Sequence, residues 1–94
     1  MPWVTHKIIV DGVVKYAVFS TVVMDYLTGF LPKDEFVEEY KKLYTKRYPD
    51  DVNRAEEMAN KAIQRSIEMR TEKTDKGLAV IIPVYRLQFK GFFT

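Results

Sequence analysis

Residues 8–31 read IIVDGVVKYAVFSTVVMDYLTGFL, and whether this run folds as strand or helix decides what the rest of the chain packs against. Asp11-Gly12 is a strong two-residue hairpin signal, and VVKYAVF would then be the returning strand of the segment WVTHKIIV. The competing pattern is helical. Tyr16, Phe19, Val23, Leu27 and Phe30 recur at steps of three and four, a single stripe on a helix. Val13, Val14, Val18, Val22 and Val23 favour strand by propensity, whereas Met24-Asp25-Tyr26-Leu27 favours helix. The stripe predicts a helix from about Ala17 to Leu31, buried on most sides, with residues 10–19 open to either form.

The next elements are punctuated by proline. Pro32 suits the first position of a helix. Phe36, Tyr40, Leu43 and Tyr44 then draw an apolar face on a second helix, Lys33–Arg47, which Pro49 ends. Asp50, Asp51 and Asn53 offer caps, and Asn53 with Glu56 has capping-box spacing. A third helix, Asn53–Ile67, carries the stripe Val52, Ala55, Met58, Ala59, Ala62, Ile63 and Ile67. Its alanines let a neighbouring helix approach closely. Beyond it, a polar strand near Met69–Lys73 turns at TDKG and returns as LAVIIPVYRLQF. Pro83 has no N–H for a central ladder, so that strand belongs on an edge of a small sheet.

The bulk composition bounds the function classes. Ninety-four residues, 47% hydrophobic and 14% aromatic, make one domain spanning 1–94 with one core. There are no cysteines, which excludes disulfides, thiol catalysis and cysteine-built zinc sites. A reducing, cytoplasmic location is expected, and the charged fraction of 30% suits a heat-adapted protein. No uncharged run exceeds nine residues, the length of Tyr16–Met24, so no membrane span is expected. The net charge of +2 permits nucleic-acid binding without arguing for it.

Three helices followed by a β-hairpin resemble the winged helix-turn-helix domain, over about residues 16–89. The strand leaving the hairpin, VYRLQFKG, is similar to that family's exit from the wing. The resemblance implies an α+β fold with an N-terminal strand, three helices and a C-terminal β-hairpin in a small antiparallel sheet. It also implies double-stranded DNA as partner, a homodimer and a role in transcriptional regulation without catalysis or cofactor. Helix Asn53–Ile67 would enter the major groove, and hairpin 69–89 would be a wing turning at Thr74–Gly77. Alternatively, strand one pairs with the C-terminal strand, giving a small sheet with helices on one face.

The implied contacts have the right side chains. Arg54, Asn60, Lys61, Gln64 and Arg65 match base edges and phosphates, and Lys73 and Lys76 would touch flanking backbone. A solvated helix face and a soluble turn explain the same residues, because Glu56, Glu57 and Glu68 leave the helix nearly neutral. Lys41, Lys42, Lys46 and Arg47 form a weaker phosphate-contact cluster. With Asp34, Glu35, Glu38 and Glu39 at the helix start, they equally complement its dipole. His6 is the single histidine, so neither a metal site nor a triad is expected. Phe89, Phe92 and Phe93 form a candidate dimer or partner contact. An accessory or inhibitory subunit binding through that tail or an open sheet edge is the alternative to DNA binding.

Overall fold

A computed structural model describes residues 3–81, and the contacts expected of Pro83, Phe89, Phe92 and Phe93 lie outside them. The fold is α+β, with two α-helices among the described residues where the spacing predicts three. Strands β1 (Trp3–Val10) and β2 (Val13–Ser20) form an antiparallel hairpin paired from Trp3↔Ser20 to Val10↔Val13. Asp11 and Gly12 take φ of 53° and 79°, and positive φ at both central residues defines the type I′ turn that Asp-Gly favours. A β-carbon at Gly12 would meet nothing within 4 Å, so strain there is purely backbone. Gly12→Ala is expected to cost about 1–2 kcal/mol in left-handed strain, offset in part by a stiffer unfolded chain. The net is a destabilisation of about 1 kcal/mol in urea unfolding; an unchanged midpoint would refute it.

The helix expected over Ala17–Leu31 is corrected. Its first part is β2; the chain then turns through residues 21–24 into β3 (Asp25–Tyr26), which pairs Phe19↔Tyr26 and Ser20↔Asp25. The apolar run lacked strict alternation because both faces of β2 are covered: Ala17, Val18, Phe19 and Ser20 are all buried. The chain then follows β2 back to a bridge between Tyr16 and Leu31. Between these pairings the register slips by two residues. There Thr28 Oγ1 accepts the Val18 N–H at 3.1 Å and replaces the missing ladder bond.

Helix α1 (Lys33–Arg47) forms as expected, with Phe36, Tyr40 and Tyr44 buried and Asp34, Glu35, Lys46 and Arg47 placed to suit its dipole. Pro32 is its N-cap residue. The third helix is shorter than expected. Residues Pro49–Arg54 form a 3-10 turn, and helix α2 runs Ala55–Gln64. The Asn53–Glu56 capping box does not form, because Pro49 starts the 3-10 turn early and leaves Asn53 inside it. Asp51 instead accepts the Tyr44 hydroxyl, which raises the Tyr44 pKa, chiefly through that bond.

Ile67 leaves the helical stripe for strand β4 (Ile67–Glu68), which lies parallel to β1 with His6↔Ile67 and Lys7↔Glu68. The sheet order is therefore β3-β2-β1-β4, mixed rather than purely antiparallel. Strands β5 (Arg70–Thr74) and β6 (Gly77–Ile81) make a separate hairpin, turning at Thr74–Gly77 as expected. The helices cover one face of the main sheet, where Val18, Phe36, Tyr40, Tyr44, Ala55 and Ala59 form the core. On the other face His6 stacks on Phe19 with centroids 4.9 Å apart, and shares a 3.0 Å hydrogen bond with the Tyr26 hydroxyl. Burial, then the Asp25 charge, pushes the Tyr26 pKa up to about 12. Among the described residues no helix is long and apolar enough to cross a membrane.

Candidate functional site

Four of the nine cations expected to contact DNA lie in ion pairs. Arg54, at the end of the 3-10 turn, sits 3.8 Å from Asp51 and 3.6 Å from Glu57. Lys61 lies one turn beyond Glu57 and reaches it at 3.2 Å. These two cations, Lys61 first, hold the Glu57 carboxyl below the usual carboxylate range, so it is ionised at neutral pH. On α1, Lys41 meets Glu38 and, across the helix pair, Glu56, while Lys42 meets Glu39 at 3.0 Å. Lys46 is exposed, and Arg47 lies over the Tyr48 ring with 5.7 Å to its centroid. Asn60 and Gln64 are exposed on α2.

Arg65, like Lys46, Arg47, Lys73 and Lys76, is outside these pairs. It caps the C-terminus of α2, is exposed, and makes no ion pair among the described residues. The fold brings it with Lys61 to one side of a cleft of about 270 Å³ between α2 and the edge of β1. Trp3, Tyr40, Met58 and Ala62 supply apolar walls. Trp3 meets Tyr40 edge-on at 5.9 Å, and the ring column continues through Tyr44 to Tyr48 along α1. Met58, Ala62 and Arg65 are spaced four and three residues apart and so share one helical face. That spacing was the available signal. Trp3 gave none, because it enters from the other end of the chain.

The strand edge itself is part of the cleft. β4 pairs with His6 and Lys7, so Trp3–Thr5 has no strand beside it on that side among the described residues. The wing candidates Lys73 and Lys76 belong to a separate two-stranded sheet, the exposed β5–β6 hairpin, with Glu72 and Asp75. They make no ion pairs among the described residues.

Two other surfaces stand out. In the loop after β2, Val22 and Val23 are 73% and 61% exposed, held outward because Ser20 Oγ accepts both of their N–H groups at 3.3 Å. At the start of α1, Asp34, Glu35, Glu38 and Glu39 border an open depression floored by Leu27 and Leu31. No group of three or more metal-ligating side chains gathers among the described residues. The cleft is thus suited to chemistry of contact: an apolar wall, an open strand edge and a cationic rim. No family model, curated protein or solved structure matches this chain.

Proposed function

We propose that the chain is a non-catalytic protein-interaction module that receives a segment of its partner in the cleft between β1 and α2. The observation that carries this reading is the internal pairing of the helix cations. Of the seven candidate cations between residues 41 and 65, Arg54, Lys61, Lys41 and Lys42 face acids of the same helix–turn–helix segment. Duplex binding draws its affinity from cations that displace counterions along the phosphate backbone, and a paired cation must first give up its carboxylate. A partner protein needs instead apolar wall and unpaired strand edge, both of which the cleft offers.

The winged-helix reading keeps one supporting observation. Lys73 and Lys76 stand beside the tip of an exposed hairpin, where a wing would carry its backbone contacts. In this second reading α2 and hairpin 70–81 would grip a duplex.

Photo-crosslinking separates the two. A photoreactive residue at position 62, in the cleft, is expected to capture a discrete protein in cells, insensitive to nuclease. The same group at position 46, on the exposed end of α1, is expected to capture none. Nuclease-sensitive capture, with a low-salt duplex shift abolished by Lys73→Glu and Lys76→Glu, would transfer the function to the second reading.

A further inference from the structure

We infer that the occupant of the cleft is an extended, acidic segment of the partner, added as a strand along Trp3–Thr5 with a carboxylate at Arg65; this rests on the interaction-module reading above. The strand edge is the first reason. The Lys7 carbonyl accepts the Met69 N–H at 2.8 Å, so the Lys7 backbone groups face β4. Backbone groups two and four residues earlier, at Thr5 and Trp3, point the same way. The parallel register sets the Thr5 carbonyl against Ile67, so the groups ahead of β4 are the Thr5 N–H and both Trp3 groups. An open edge of this kind is a template for an incoming strand, whose main chain supplies the bonds.

The wall is the second. Alternate side chains of an added strand point to one face, toward Trp3, Tyr40, Met58 and Ala62. The cleft volume of about 270 Å³ admits a few side chains but no folded element. An extended segment therefore fits where a helix does not.

Charge is the third. The rim carries Lys61, already shared with Glu57, and Arg65, which has no ion pair among the described residues. The C-terminal end of α2 opposes an anion, with roughly half a negative charge. Its exposed carbonyls are, however, partly engaged. The Lys61 carbonyl accepts the Arg65 N–H, and the Ile63 carbonyl accepts both the N–H and the hydroxyl of Ser66. The full guanidinium charge outweighs that residue of dipole, and its planar fork matches a carboxylate with two parallel bonds. An acidic segment is preferred over a neutral or basic one.

The probe is a short, labelled synthetic peptide of alternating valine and glutamate, titrated against the full chain, beside its valine–glutamine counterpart. The acidic peptide is expected to bind roughly tenfold more tightly than the neutral one, and to weaken as salt rises. Arg65→Glu is expected to lose that preference, whereas Lys46→Glu, the same charge change elsewhere, retains it. In the complex, the Trp3 and Thr5 amide protons should exchange more slowly. Equal binding of the two peptides, an indifferent Arg65→Glu, or unprotected Trp3 and Thr5 amides would each overturn the inference. So would a duplex oligonucleotide that displaces the peptide, which would assign the cleft to nucleic acid. If the acidic peptide fails to bind while position 62 still captures a protein, this inference alone falls. If position 62 captures nothing, both fall.

Discussion

Replacing Phe36 with alanine is expected to lower the unfolding free energy by about 3–5 kcal/mol, the largest single-residue loss in the helix–sheet core. Phe36 is fully buried, its ring 5.6 Å from Tyr16 on the sheet and 5.8 Å from Tyr40 one turn along α1. It therefore joins the two layers rather than filling one. Truncation removes the transfer energy of the ring and leaves a void that rigid aromatic neighbours close poorly. Domains of this size are stable by about 5–15 kcal/mol, so the loss is a large share of the whole. The urea midpoint should fall with an unchanged slope, and Phe36→Leu should lose less. A loss under about 1 kcal/mol would mean that α1 does not pack on the sheet through this ring.

Ala59→Leu should cost about 1–3 kcal/mol by overpacking. Ala59 is 0% exposed in the same cluster as Tyr40 and Tyr44, so a larger side chain must push α2 away from α1. Leucine and alanine have similar helix propensities, which leaves packing as the cause. Asn60, the next residue, is exposed, and Asn60→Leu should stay within about 0.5 kcal/mol of wild type. Equal costs at the two positions would show that the packed face of α2 has been misassigned. The small-residue stripe read from the sequence is the direct source of this prediction.

The helices were legible where period and punctuation agreed. Phe36, Tyr40 and Tyr44 follow the helical period between Pro32 and Pro49, and all three are buried. The start of α2 was less legible, because Pro49-Asp50 and Asn53-Glu56 offer two rival entries and the proline prevailed. Residues 17–31 misled through a coincidence of spacing. Tyr16 faces the helices and Phe19 the opposite side of the sheet, though a helical stripe would have put them together. The left-handed φ of 58° at Met24, which lets the chain return along β2, has no reliable sequence mark. Strand β4 is two residues long and has no pattern to read. For the cleft, Lys61 and Arg65 were visible as cations on an exposed helix face. Their neighbour Trp3 was not, because only the assembled sheet brings residue 3 beside residues 58–65.

That closure sets an order of events. The β1–β2 hairpin can form from local contacts as soon as its tight turn is made. The parallel pairing of His6 with Ile67 joins residues about sixty positions apart, and its loop entropy must be met before any contact rewards it. A chain still emerging from the ribosome thus leaves His6 and Lys7 of β1 unpaired on that side until β4, which follows α1 and α2, has been synthesised. During that interval the bare strand can pair with another copy. Substitutions that slow the helices should therefore reduce the yield of native protein by aggregation more than its final stability.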